Sequence, residues 1–546
     1  MTVRHMKYPT ILCALSTLLL PISMAAQQPL VTVNLQSYRA VLDDAARIAA
    51  AVAPDQPVQL EAIIQSMVGA EAIALIDPNK PWHLALWMDQ LGQQPSAALY
   101  LPASDAEAFE AAIATGFLAT QALTVTDSGD FIILTQSQTT DATLGQRAAD
   151  YGQQLPAEVA DTLSVQLKMN EPVRAMALGG LQLSKGMMLS SMQTAITPEM
   201  GLPAGCYESI FGAYFGVFEY VLRDLSTLNL SLSVDDEDLN YSFSIEPTAE
   251  SELAAWMRRQ NIEITDIMSS TNWDDTMAVA VSMAPLTAGE RATWSDLAET
   301  MMPLYGLQAK DAEQWMQLID ATLPLKAGYS VELAESFSFE GFYQLLNGSA
   351  DEVYVQTMKL IELMPTAEKT PASYYSAIEF QPGIREVNGH SVDRITMTMN
   401  LEHPTMQMPG QKEQILALFQ DGQIAYESAV IDDRIYCATS GRLEQALKKS
   451  YPKPAIQPSA ATRMLASFNI ISLMKIGAQS APEIAPVMSA LDENSGSIWC
   501  LLNVSDSLEM QTIVPLQVLT EFSKMEQPAL ANPSAPSQQD ASTTAP

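Results

Sequence analysis

The chain holds 546 residues with a formal net charge of −35, yet only 17% of its residues are charged and 48% are apolar. Such an acidic surface disfavours nucleic acid and anionic lipid headgroups as partners. The apolar fraction is that of a globular protein rather than of a disordered acidic chain.

In chain order, residues 1–26 are predicted to be a signal peptide. Arg4, His5 and Lys7 make a positive start, ILCALSTLLL gives a short apolar run, and Pro21 and Ser23 lead to the small residues Ala25 and Ala26. That is the order an export signal needs. Cleavage near Ala26 removes Arg4 and Lys7 and no acidic residue, so the secreted protein is more acidic still. The expected location is periplasmic or extracellular. No later stretch supplies about 18 consecutive uncharged apolar residues, so no transmembrane segment is expected after cleavage. Cys206, Cys437 and Cys500 then remain. Three is odd and there is no C-x-x-C, so the cysteines form one disulfide at most.

Within the mature chain, SAALYLP (Ser96 to Pro102) reads as a buried strand, and Asp105 as the cap of the helix AEAFEAAIATGF. TVTDSGDFIILTQSQTTDATLGQRAADY (Thr124 to Tyr151) predicts strand, turn, strand, helix. LNLSLSVDDEDLNYSFSIEP (Leu228 to Pro247) predicts two alternating strands around an acidic turn, followed by the helical ESELAAWMRRQ. TMAVAVSMAP and GYSVELAESFSFEGFYQLL are further strand runs. Asn388-Gly389, between IREV and HSVDRITMTMN, is a strong hairpin signal. SAVIDDRIYCATSGRLEQALKKSY (Ser428 to Tyr451) repeats the plan of 124–151, and SIWCLLNVSDSLEMQTIVP (Ser497 to Pro515) repeats that of 228–247. The expected fold is therefore α+β, in two similar halves, each a largely antiparallel sheet with packed helices. The halves are residues 27–260 and 261–525. Residues 526–546, rich in Pro, Ala, Ser and Gln, read as a disordered tail.

DPNKPWHLALWM (Asp77 to Met88) and ALYLPASDAEAF (Ala98 to Phe109), set ahead of a strand–turn–strand, resemble large exported bacterial proteins of unknown function with a repeated α+β unit. The resemblance spans about the first 250 residues. It is architectural and implies no catalytic residue.

The catalytic vocabulary is thin. There is no H-E-x-x-H, G-x-S-x-G, Walker loop or G-x-G-x-x-G. Ser472-Leu473-Met474-Lys475 matches S-x-x-K without its companion elements. His83, between Trp82 and Trp87, reads as a partly buried strand histidine rather than the centre of a pocket. Asp235, Asp236, Glu237 and Asp238 carry enough oxygen for Ca²⁺ but lack calcium-loop spacing, so a solvated turn is favoured. Met397, Met399, His403, Met406 and Met408 offer soft ligands suited to Cu(I). With 29 Met in the chain, core filling competes with that reading. Finally, YESIFGAYFGVFEYVL sets Tyr207, Phe211, Tyr214, Phe215, Phe218 and Leu222 on one helical side. The favoured reading is core packing, helped by close approach at Gly212 and Gly216. The other is a wall for a lipid or similar apolar ligand.

These features point to an exported non-enzymatic binding or structural protein of the cell envelope or extracellular space, with a protein or an apolar ligand as partner. Two alternatives stand beside it: a carrier holding an apolar ligand between sheet and aromatic helix, and a hydrolase whose carboxylates come from distant positions.

Overall fold

The computed structural model describes residues 28–54, 59–88, 95–114, 117–136, 143–195, 206–302, 307–308, 311–333, 337–368, 373–403, 406, 411–448, 451–478 and 484–531. The predicted signal peptide and most of the predicted tail lie outside them.

Among the described residues, eighteen strands form one antiparallel sheet. They are β1 (Val31–Leu35), β2 (Trp82–Trp87), β3 (Ser96–Leu101), β4 (Leu123–Asp127), β5 (Ile132–Gln136) and β6 (Leu163–Lys168). Next come β7 (Leu225–Val234), β8 (Asp238–Pro247), β9 (Met277–Met283), β10 (Leu325–Leu333), β11 (Phe337–Leu345) and β12 (Tyr375–Val387). The last are β13 (His390–Met399), β14 (Gln423–Ile431), β15 (Arg434–Thr439), β16 (Thr462–Phe468), β17 (Ile498–Val504) and β18 (Leu508–Pro515). Six helices enter the argument: α1 (Tyr38–Val52), α2 (Leu144–Gly152), α3 (Glu171–Ala195), α4 (Cys206–Asp224), α5 (Glu252–Arg259) and α6 (Leu516–Ala531). The α+β class expected from the sequence is what the structure has, in a single sheet. The last helix runs to Ala531, past the boundary expected at residue 525.

Across the sheet the strands follow the order β4-β5-β3-β2-β1-β6-β7-β8, then β18-β17-β16-β9-β10-β11-β15-β14-β13-β12. The join is β8 against β18, eight residue pairs long, from Leu508 opposite Ile245 to Pro515 opposite Asp238.

Local chemistry explains the elements. Asn388 and Gly389 take φ values of 53° and 83°, the left-handed pair that a two-residue hairpin between twisted strands demands, and Val387 pairs with His390. Asp105 accepts the Ala108 amide at 2.9 Å and caps its helix. Asp235 Oδ1 accepts the amides of Glu237 and Asp238 at 2.9 and 2.7 Å, closing the acidic β7–β8 turn. Its neighbour Asp236 lies 3.4 Å from Arg47 of α1. Burial raises the Asp238 pKa, and the Asp235 and Glu237 charges raise it further.

The sheet has two faces because side chains alternate along each strand. On one face, β1, β6, β7, β8 and β18 give Val31, Val165, Leu167, Leu228, Ile245, Phe243 and Leu508 to a core closed by Val173 of α3, Val221 of α4 and Met257 of α5. On the other face, α2 sets Leu144 and Ala148 over Trp87, Tyr100 and Ile133. Further along that same face, Trp499, Leu501 and Ile513 are covered by Ile264, Ile267 and Trp273.

Candidate functional site

Between those two covered mounds lies an open stretch of sheet, a groove of about 530 Å³ floored by β1, β6, β7, β8 and β18. Its floor is two rows of polar residues in register. One row runs Asn34, Ser164, Ser231, Ser242, Gln511. The other runs Thr32, Gln166, Asn229, Ser244, Glu509. All ten line the groove. Strand alternation puts them there: in LNLSLSV and DLNYSFSI each apolar residue that packs under the helices is followed by a polar one pointing the other way.

The floor side chains bond to one another. Gln166 donates to Asn229 Oδ1 at 3.0 Å, and Asn229 Nδ2 donates to Ser244 Oγ at 3.2 Å and Glu246 Oε1 at 3.3 Å. The Ser231 and Ser242 hydroxyls lie 2.8 Å apart, and Asn34 donates to Ser164 at 3.2 Å. Such cross-strand bonds fix rotamers before any ligand arrives. Each hydroxyl and amide both donates and accepts, so capacity is left over for a ligand. Asp161 and Glu509 supply the carboxylates, and among the described residues no Lys, Arg or His belongs to the lining.

At one end of the floor stands His83. It is 1% exposed, and its Nδ1 lies 2.8 Å from Asn34 Oδ1, so the neutral ring donates from that nitrogen. Burial lowers its pKa to about 4, with the Pro156 carbonyl opposing. It is thus a buried, uncharged strand histidine that holds the Asn34 amide in place. Tyr151 of α2 and Pro156, just after that helix, close that end of the groove.

The aromatic stripe is placed differently from its favoured reading. Phe215 is buried, but Tyr214 and Phe218 are 56% and 43% exposed, with their rings 4.8 Å apart. Phe211 is half-buried; Tyr207 lies in α4, whose inner side is made by Tyr220, Val221 and Leu222. A Cβ added at Gly212 or Gly216 meets nothing within 4 Å, so neither glycine serves close packing. Leu183, Met187, Tyr214, Val217 and Phe218 leave an apolar face on α3 and α4 uncovered.

The methionine cluster is held only in part. Met397 and Met399 share a face of β13, where Met397 pairs with Ile378 and Ile424. His403 is buried and stacks on Tyr374 with ring centroids 4.2 Å apart, and the Met406 amide donates to the His403 carbonyl at 2.8 Å. Met408 lies outside the described residues. Among the described residues, no group of three His, Cys, Asp or Glu is placed to hold a metal ion.

Sequence reasoning missed the buried carboxylates, among them the neighbours Asp275 and Glu340. Asn272 donates to Asp275 at 2.7 Å, and the Tyr451 hydroxyl donates to Glu340. Burial raises the Asp275 pKa; the Ser330 hydroxyl and Arg442 pull it down, while Glu340 and Glu332 push it up. The cavity beside Glu340 is about 20 Å³, room for one water and not for a substrate. Sequence reasoning also read the polar half of β7 and β8 only as strand alternation. The signal was present: the polar positions that alternate with Leu228, Leu230, Phe243 and Ile245 carry Asn and Ser, and they are half-buried rather than exposed.

No helix among the described residues is long and apolar enough to cross a membrane. No protein-family model matches the chain, and no curated protein is similar to it.

Proposed function

We propose that this is an exported, non-enzymatic binding protein built from two tandem α+β units, whose binding face is the polar groove. The observation that carries the reading is the double row of ten hydrogen-bonding residues, nine of them uncharged and the tenth Glu509, in register across five strands and enclosed by apolar mounds. A sheet face made only to stay wet carries Lys and Glu at such positions.

The tandem reading rests on strand order. β4-β5-β3-β2-β1-β6-β7-β8 and β14-β15-β11-β10-β9-β16-β17-β18 describe one plan twice, with β12 and β13 added at the far edge of the second. The join has the matching symmetry. Leu239, second residue of β8, corresponds to Leu508, first residue of β18. In the ladder, Leu508 faces Ile245 and Leu239 faces Val514. Ser242 then faces its own counterpart, Gln511. On this correspondence Asn229 and Ser231 take the places of Trp499 and Leu501. One unit buries that face under Ile264, Ile267 and Trp273; the other keeps it polar and open. That asymmetry supports a ligand site in the first unit.

The apolar-carrier alternative is weaker, because Tyr220, Val221 and Leu222 already fill the space between α4 and the sheet. The test is native mass spectrometry on chain purified from an exported fraction without detergent, beside Ser231→Trp, which plugs the middle of the floor. The wild type is expected to carry a polar small-molecule mass that Ser231→Trp loses. A lipid-sized mass in both proteins would transfer the site to the helices and defeat the groove reading.

A further inference from the structure

We infer that the ligand of the groove is a neutral oligosaccharide lying across the strands, an inference that rests on the groove being a binding face. Four considerations converge on that class.

The first is charge. Asp161 and Glu509 are the ionisable carboxylates of the lining, and no basic side chain balances them. Phosphates, sulfates and uronic acids need cationic donors and would meet repulsion here. The second is the chemistry of the floor. Ser, Thr, Asn and Gln each donate and accept, which suits ligands whose hydroxyls do the same. A carboxylate accepts from two hydroxyls at once, so Glu509 and Asp161 serve a polyol without needing a cation.

The third is spacing. Five strands separated by about 4.8 Å set polar groups at regular steps over about 19 Å. The two rows lie two residues apart along the strands, about 6.8 Å. An extended pyranose chain presents hydroxyls along both of its edges at a step comparable to the strand separation, so each ring meets one residue of each row. The volume of about 530 Å³ fits a short oligosaccharide rather than a single sugar. The fourth is what the floor cannot take. β1, β6, β7, β8 and β18 are all paired on both sides. No free backbone edge is therefore available to add a peptide strand.

Within this site Asn229 is the central recognition residue. It bonds to Gln166, Ser244 and Glu246, so its amide fixes the orientation of the two groove-lining neighbours, Gln166 and Ser244, that would contact the sugar. Gln511 and Glu509 close the second-unit end, while Asn34, held by His83, closes the first.

The experiment is titration calorimetry of the full chain with neutral tetrasaccharides of glucose, mannose and N-acetylglucosamine, with tetragalacturonate as the anionic counterpart and spermidine as a cationic probe. Binding of at least one neutral tetrasaccharide is expected, with tetragalacturonate silent. Asn229→Leu, branched at the same atom but unable to hydrogen bond, should weaken that binding by about tenfold or more, and Ser231→Trp should abolish it. Equal denaturant midpoints for Asn229→Leu and wild type would exclude misfolding as the cause. Binding of spermidine alone, lost in Ser231→Trp, would overturn the saccharide assignment while leaving the groove a binding site. Silence with all five probes would overturn the saccharide, and with no co-purifying ligand it would remove the groove reading as well. Neutral-sugar binding undiminished by Ser231→Trp would place the sugar elsewhere and also refute the assignment.

Discussion

Replacing Glu427 with Ala is expected to destabilise the second half of the sheet by about 3 kcal/mol, read as a lower urea midpoint at neutral pH. Glu427 lies on β14 with its side chain 2% exposed. Arg385 of β12 donates to it at 2.8 Å and Arg394 of β13 at 3.0 Å, with Ser440 at 3.3 Å. Burial alone would raise the Glu427 pKa, but the hydrogen bonds from Arg385 and Arg394 outweigh it and the net shift is downward. Deleting the carboxylate takes this partner from Arg394 and leaves Arg385 with its weaker pair to Glu444 at 3.3 Å. Both arginines reach water, being 31% and 36% exposed, which keeps the cost below that of orphaning fully buried charges. The sign with pH follows from the lowered value. The folded state holds this carboxylate ionised more firmly than the unfolded state does, so the contribution is complete above the ordinary glutamate pKa. It fades as pH falls through the lower folded value. The stability gap between wild type and Glu427→Gln should therefore narrow in acid. A gap that stays constant from pH 7 to acid would show that the ion pairs are not its source.

Gly328→Ala is expected to cost about 2 to 3 kcal/mol, although Ala is the mildest substitution available. Gly328 sits on β10 opposite Phe342 of β11. A Cβ there would run into the Thr271 hydroxyl and stand 2.8 Å from the Phe342 ring. Thr271 is 2% exposed and Phe342 is 3% exposed, so neither can swing into solvent. Gly341, beside Phe342 on β11 and opposite Tyr329, is as confined, with Tyr329 Cβ at 2.9 Å from an added methyl and the Gly328 carbonyl at 3.0 Å. Interiors packed this closely do not absorb a methyl without shifting backbone or rotamers. If crowding is the cause, Gly328→Ala combined with Thr271→Ala should recover part of the loss in a thermal or urea midpoint. A strictly additive double variant would locate the cost in β10 backbone conformation instead.

Much of this architecture could be read from residue order alone, because its signals are local. Asn388-Gly389 dictates its own turn, Asp105 its own cap, and the alternation of β7 and β8 their two faces. Which strands become neighbours is different information. The pairing of β8 with β18 joins segments more than two hundred residues apart, and nothing in either strand specifies the other. The aromatic helix shows the same limit at smaller scale. A period of 3.6 groups Tyr214, Phe215, Phe218 and Leu222 on one side of α4, but cannot say how much of that side meets the core: Phe215 and Leu222 turn inward beside Val221, while Tyr214 and Phe218 stay exposed. The groove was half legible: its residues alternate in plain view, and only the register that aligns Asn34, Ser164, Ser231, Ser242 and Gln511 turned scattered polar residues into a surface.

An open sheet of eighteen strands has two rims, and a rim is where another chain can attach. At the β4 rim the strand is only five residues long. The β12 rim is thirteen residues long, enough to seed growth of the sheet by a stranger's strand. Its register breaks between Gln381 and Arg385, where Pro382 can donate no hydrogen bond and Gly383 takes φ 62°. Asp393 pins this irregularity by accepting the Gly383 amide at 2.8 Å. The rim is thus divided into two short runs on either side of a kink, neither offering the unbroken ladder that fibre growth requires. A highly acidic protein with a sheet this wide therefore stays finite through one proline, one glycine and the aspartate that locks them.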